Sequence, residues 1–290
     1  MSPDGGPVGV RGPVDPVEPV DAVTVILVRD GPAPAAVAGQ RSGPLEVLLL
    51  ERHGASAFAP GALVFPGGKL DPTDASLPSQ RAPLPDAQAW AARLGVPDAD
   101  HARTMLVAAV RETFEEAGVL LARHDDGTDL AARPPPGEEL AALRQRMAAR
   151  DGAHDWAAWL TERGIVLDLK ALAMWSWWVT PAGLPRRFDT RFLIARLPSG
   201  QAATHDAVET TAMRWITPGA ALAAYGAGEL HVIYPTRCTL AQLADHQDAA
   251  AAVAAAREGA VDLRRIEPRV VHVDGTPMVQ HPDGGPPAAV

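Results

Sequence analysis

The feature that most restricts this chain is one helical stretch whose two sides make opposite demands. From Asp100 to Leu121, Met105, Leu106, Ala109, Val110, Thr113, Phe114 and Ala117 recur at helical spacing and form a stripe for a core, with Gly118 placed to stop the helix. The same stretch carries Glu112, Glu115 and Glu116 at i, i+3 and i+4, side by side on one face. Like charges at that spacing disfavour an isolated helix by roughly 0.2–0.5 kcal/mol per pair, and only Arg111 adjoins them in sequence. Clustered carboxylate oxygens suit a hard divalent ion such as Mg²⁺ or Mn²⁺, which takes oxygen ligands and commonly bridges protein carboxylates to phosphates. The competing reading is a solvated acidic face, the usual fate of a charge run. Against it stand Phe114 and Val119, which tie the same helix to a core, and upstream Phe65-Pro66-Gly67-Gly68-Lys69-Leu70-Asp71, a strand end followed by glycines whose bare backbone admits a ligand closely.

Around this helix the pattern mixes α and β. Strands are predicted at Val23–Val28, Leu45–Glu51, Leu63–Phe65, Ala171–Val179, Arg191–Leu197 and Ala212–Ile216. Helices are predicted at Ala87–Leu94, Glu138–Ala149, Asp155–Glu162 and in a C-terminal section from Pro218 through Thr236 to Glu258. The order lacks the regular βαβ alternation of a doubly wound parallel sheet, which leaves an α+β arrangement. Residues 1–20, rich in Pro, Gly and Val, read as a disordered tail, and 261–290 as a C-terminal extension.

Charge and cysteine content exclude several classes. With 26 Lys and Arg against 35 Asp and Glu, the net charge of −9 repels a nucleic-acid backbone. The single Cys238 can build neither an internal disulfide nor a cysteine zinc site, and it reads as a small buried apolar group; a reducing cytoplasm is the expected setting. No apolar run of membrane-spanning length occurs, so no membrane partner is expected. Gly68-Lys69 lacks the first glycine and the Ser or Thr of a phosphate-binding P-loop, and neither a Rossmann fingerprint nor a G-x-S-x-G elbow is present.

Gly68, Asp74 six residues on, and Arg111-Glu112-Thr113-Phe114-Glu115-Glu116-Ala117-Gly118-Val119 resemble the Nudix box G-x5-E-x7-R-E-U-x-E-E-x-G-U, where U is a bulky apolar residue. Three departures mark this chain. Asp74 stands where Glu is usual, with Asp71 as a rival for the position; Thr113 replaces a bulky apolar residue; and 36 residues instead of seven separate Asp74 from Arg111. An insertion inside the box, together with Val47–Arg52, Phe58–Gly68, Trp178–Pro181, Arg187–Phe192 and Asp206–Pro218, is similar to the branch containing coenzyme A diphosphatases. The resemblance implies a Nudix-type α/β/α sandwich with a mixed sheet over residues 21–260, bearing helical insertions at about 75–107 and 122–170.

What the resemblance implies for chemistry is metal-assisted attack of water on a diphosphate that links a nucleoside to another group. Glu115 and Glu116 would be the principal ligands of Mg²⁺ or Mn²⁺, with Glu112 and the Gly68 carbonyl close by. Arg111 would orient the carboxylates through its planar fork. Glu112 is the favoured general base and Glu209 the alternative. The expected substrate is coenzyme A or an acyl derivative; ADP-ribose or a dinucleotide is the enzymatic alternative, and a non-catalytic nucleotide sensor the alternative from another class. Arg52, Lys69, Arg186, Arg187 and Phe188 are the substrate-binding candidates, although a coenzyme A motif of another branch places Arg where this chain has Ala57. Trp175, Trp177 and Trp178 offer stacking faces for an adenine, but aromatic residues in a β-rich run more often fill a core.

Overall fold

The computed structural model describes residues 17–32, 43–53, 61–149, 156–205 and 210–289. Its centre is β1 (Val20–Asp30), whose side chains alternate between two cores. Val23, Val25 and Leu27 enter one hydrophobic cluster, while Ile26 and Val28 enter the other. β2 (Leu45–Arg52) repeats the pattern, with Leu48 and Leu50 on the first side and Leu45, Val47 and Leu49 on the second. Strands apolar on both faces require a layer on each side, the expected α/β/α sandwich.

The decisive topological detail is a split along one edge of β1. β2 pairs antiparallel with β1 only at Val28–Asp30, then pairs with β3 (Leu63–Val64). The freed edge at Ala22–Thr24 is taken by β4 (Gly67–Lys69), also antiparallel. These two short strands, one of them glycine-bearing, lead into α1 (Pro72–Ser76), α2 (Ala87–Leu94) and the long α3 (Ala99–Ala117). α3 therefore begins one residue before the predicted start and ends at Ala117 with Gly118 in the left-handed region (φ 67°), where it caps the helix through its N–H to Phe114 O. Because α3 starts at Ala99, the last nine residues of the predicted 75–107 insertion are already part of it.

The predicted 122–170 insertion supplies β5 (Ala122–His124), α4 (Gly137–Ala149), α5 (Trp156–Glu162) and β6 (Ile165–Leu167), with β5 and β6 forming a two-stranded sheet. The main sheet continues with β7 (Ala173–Val179) antiparallel to β8 (Phe188–Arg196), β8 parallel to β1, and β9 (Thr210–Ile216) antiparallel to β2. The C-terminal helical section is broken into α6 (Pro218–Gly226), α7 (Tyr234–Leu243) and α8 (Ala249–Glu258). Pro235 in the first turn of α7 and Asp248 as side-chain cap of α8 set two of those boundaries.

The last residues do not stand apart from the fold. β10 (Arg265–Ile266) pairs parallel with β7 at Trp177 and Trp178, so part of the predicted C-terminal extension belongs to the main sheet. β11 (Arg269–Val273), β12 (Thr276–Gln280) and β13 (Ala288–Ala289) form a small antiparallel sheet. At the other end, β1 already begins at Val20; residues 1–16 of the predicted tail lie outside the described residues. Among the described residues, no helix is long and apolar enough to cross a membrane.

Candidate active site

α3 carries its acidic trio inward. Glu112, Glu115 and Glu116 are 5%, 9% and 7% exposed, and Arg111 is 5% exposed, so the solvated acidic face does not form. A buried cluster of that sign needs compensation, and Arg111 provides part of it. Its Nη1 donates to Glu112 Oε1 at 2.8 Å and lies 3.5 Å from Glu115 Oε1. Nε and Nη2 grip Asp74, at 2.7 Å to Oδ1 and 3.0 Å to Oδ2, and Nη2 also donates to Lys69 O at 2.9 Å. Burial on its own would lower the Arg111 pKa, but the Asp74 hydrogen bonds and the charges of Glu112, Asp74 and Glu115 outweigh it, and the group is held above its ordinary value.

The choice between Asp74 and Asp71 is now decided by position. Asp74 is fully buried, and its Oδ2 also accepts from the Asp71 N–H at 2.7 Å. Asp71 is the side-chain cap of α1, accepting from Thr73 N, and the two aspartates complete a reciprocal capping box. One short helix thus aims a carboxylate at Arg111 from 37 residues away in sequence.

β4 supplies the other wall. Gly67 N donates to Glu116 Oε2 at 2.9 Å, joining the strand to the end of α3. A Cβ on Gly68 would come within 2.4 Å of Glu112 Oε1, so a larger residue there would displace that carboxylate. The C-terminal turn of α3 is held from outside by Arg144 of α4. Its Nε donates to Glu115 O at 2.6 Å, its Nη2 to Glu116 O at 2.7 Å and to Thr204 O at 2.8 Å. A cation on the last carbonyls of a helix satisfies orphan acceptors and opposes the helix dipole.

This donor set fits a divalent ion in kind: three buried carboxylates of α3 stand against the glycine backbone of β4, and the Glu112 carboxylate occupies the place a side chain on Gly68 would take. Among the described residues, no three carboxylate, imidazole or thiol groups are already gathered at metal-ligand spacing. The trio lines a cavity of about 1090 Å³.

Of the predicted substrate residues, Arg52, Lys69, Arg186 and Phe188 all line that cavity, with Lys69 Nζ 5.9 Å from the centre of the Phe188 ring. Arg187 is not among the residues lining it. Its guanidinium is directed to Thr180 O, Val17 O and Glu267, which makes it a tie between the β7–β8 connection and the chain termini. Glu209 lies outside the described residues. Trp175 is buried in the second cluster with Nε1 donating to Gln242, and Trp177 packs under Arg191; only Trp178 of the three lines the cavity. Cys238 is half-buried against the second cluster, and burial pushes its thiol up. Sequence reasoning missed the cavity residues Tyr234, Pro268 and Val279, which sit in segments with no local signal for a site.

The sequence description of the NUDT19 Nudix domain matches residues 78–243. The human acyl-coenzyme A diphosphatase NUDT19 is 31% identical over 265 residues, covering 79% of this chain and 70% of the relative. The Gallus gallus protein of the same name is 32% identical, covering 77% and 67%. A crystal structure of a NUDIX hydrolase from Alicyclobacillus acidocaldarius is similar with a TM-score of 0.64 at 28% identity, covering 82% of this chain and 96% of that one. With the box helix buried against its glycine strand and the match running through more than half of its length, this chain belongs to the Nudix hydrolases, enzymes that generally depend on divalent metal ions.

Proposed function

We propose that this enzyme hydrolyses the diphosphate of coenzyme A or acyl-coenzyme A, giving 3′,5′-ADP and 4′-phosphopantetheine or its acyl form, with Mg²⁺ or Mn²⁺. The observation that carries the reading is the buried acidic trio against Gly67 and Gly68, in one cavity with Arg52, Lys69 and Arg186. The names of the human and Gallus gallus relatives support the choice of substrate.

In this reading Glu115 and Glu116 are the chief metal ligands, joined by Glu112 and the Gly68 carbonyl. When bound, the ion supplies neutralisation of the diphosphate and activation of water. Arg111, itself clamped by Asp74, holds the carboxylate of Glu112 in place by a charge-assisted hydrogen bond. Glu112 takes the proton of the attacking water, with Glu209 as the alternative base. Arg52, Lys69 and Arg186 meet the phosphates, and the Phe188 ring offers a flat apolar face.

The test is incubation of the purified protein with Mg²⁺ or Mn²⁺ and, in parallel, coenzyme A, ADP-ribose and NADH, with products read by mass spectrometry. The expected products are 3′,5′-ADP and 4′-phosphopantetheine. Cleavage of ADP-ribose or NADH while coenzyme A survives would overturn the substrate, and tight binding without any product would turn the reading toward a sensor.

A further inference from the structure

The cavity is larger than a diphosphate needs. Small-molecule sites usually span roughly 300–1,000 Å³, and this one reaches about 1090 Å³. Its lining comes from both layers of the sandwich. The glutamates belong to α3 on the first side of the sheet, whereas Trp178, Phe192, Tyr234 and Val279 belong to the cluster on the second side. That second part is densely aromatic: the Trp178 and Tyr234 rings meet edge to face at 5.9 Å, and Phe65 and Phe192 at 6.4 Å, with the Arg237 guanidinium over the Tyr234 ring at 5.1 Å. Burial, followed by the neighbouring Cys238, pushes the Tyr234 phenol up to about 12, as a poorly hydrated environment would.

Two of its residues, Pro268 and Val279, come from the C-terminal segment. That segment is anchored rather than loosely laid. Ile266 pairs with Trp178 in the main sheet, Glu267 accepts from Arg187 Nη2 at 2.6 Å, and Val279 is paired with both Val270 and Ala288. Arg187, which is not among the residues lining this cavity, thereby holds the residue next to Pro268.

We propose that this apolar end receives the acyl-pantetheine arm on the far side of the diphosphate, and that Val279 and Pro268 set the length of acyl chain the enzyme accepts. The inference rests on the substrate reading above. A flexible apolar arm gains about fourfold in affinity for each methylene that leaves water, so selectivity climbs with chain length until the arm meets a wall. Here the wall is β-sheet backbone braced by an ion pair, and it does not yield to one more methylene as a surface loop would.

The experiment compares kcat/KM for coenzyme A and its acetyl, octanoyl and palmitoyl thioesters in the full chain, in Val279→Trp and in Val279→Ala. The expected result is a wild-type profile that rises from coenzyme A to an optimum and falls beyond it, a ratio of the octanoyl value to that for coenzyme A cut by about tenfold in Val279→Trp, and an optimum moved toward longer chains in Val279→Ala. A flat wild-type profile, or variants that change every substrate by one common factor, would overturn the chain-length role while leaving coenzyme A as substrate. If coenzyme A is untouched and another nucleoside diphosphate is cleaved, the substrate reading falls and this inference with it. Should Val279→Trp not fold, inhibition of the wild-type reaction decides: octanoyl-4′-phosphopantetheine should act at a concentration at least about tenfold below that of 4′-phosphopantetheine, and equal potency would count against the proposal.

Discussion

Replacing Asp74 by Ala would leave the Arg111 guanidinium inside the protein with both of its bonds to Asp74 removed, the shortest carboxylate bond it makes among them. Breaking a buried pair from one side costs about 3–5 kcal/mol, and urea denaturation of Asp74→Ala should show a loss of that order, with Asp74→Asn losing less because it keeps an acceptor for the Asp71 amide. Since the Arg111 pKa is raised, its contribution is present below the ordinary arginine value and is lost only as pH rises through the folded one. The Arg111 guanidinium should therefore add no pH dependence to stability across the neutral range. Glu116 tests the chemistry rather than the fold: Glu116→Gln is expected to abolish most turnover with an unchanged circular dichroism spectrum, and near-normal metal-dependent rates in that variant would remove Glu116 from the ligand set. At Gly68 a single added methyl meets Glu112, so Gly68→Ala should lower kcat while the melting temperature moves little.

At the scale of elements, the site is an encounter between the last turn of α3 and the short strand β4, and each is held by a partner distant in sequence. β4 exists because β2 leaves β1 after three paired positions and the freed edge accepts Gly67–Lys69. The end of α3 is held by Arg144, whose bonds to Glu115 O and Glu116 O join the helix to the loop at Thr204. A Cβ at Gly118 would come within 2.6 Å of Thr204 Oγ1, so the junction is also sterically tight. Hydrogen bonds to charged groups contribute about 1.5–3 kcal/mol. Arg144→Ala should destabilise by about that amount in denaturant titration, and Arg144→Lys should recover only part, because a lysine cannot span both carbonyls with a planar fork. A helix that melts no earlier in Arg144→Ala would show the clamp to be ornamental.

For the molecule as a whole, an ion that binds the folded state alone must stabilise it, by about 2.7 kcal/mol at a concentration a hundredfold above its dissociation constant. Thermal melts with and without Mg²⁺ or Mn²⁺ should accordingly shift upward in the wild type and much less in Glu116→Gln. An equal shift in both would place the bound ion elsewhere. The same scale explains what could be read in advance. The strands at Val23–Val28, Leu45–Glu51 and Ala212–Ile216 and the helix ending at Gly118 were legible because their signal is local periodicity. β4 was not, since a glycine pair has no strand pattern and pairs only because β1 has a vacant edge beside it. The bond of Arg187 was not legible for a related reason: a cation beside a family-like aromatic looks the same in sequence whether it faces a ligand or Glu267, 80 residues further on.

Sequence alone determined that a core-facing helix would carry three carboxylates on one side and that a pair of glycines would stand upstream in a chain of charge −9. Those properties follow from side-chain spacing and composition, which need no knowledge of distant contacts. Tertiary structure decided that Asp74 and not Asp71 clamps Arg111, that Arg187 bonds to Glu267, and that Pro268 and Val279 line a cavity with residues two hundred positions earlier. Proximity of that kind is set by which strand takes which edge of a shared sheet, and no run of neighbouring residues records it.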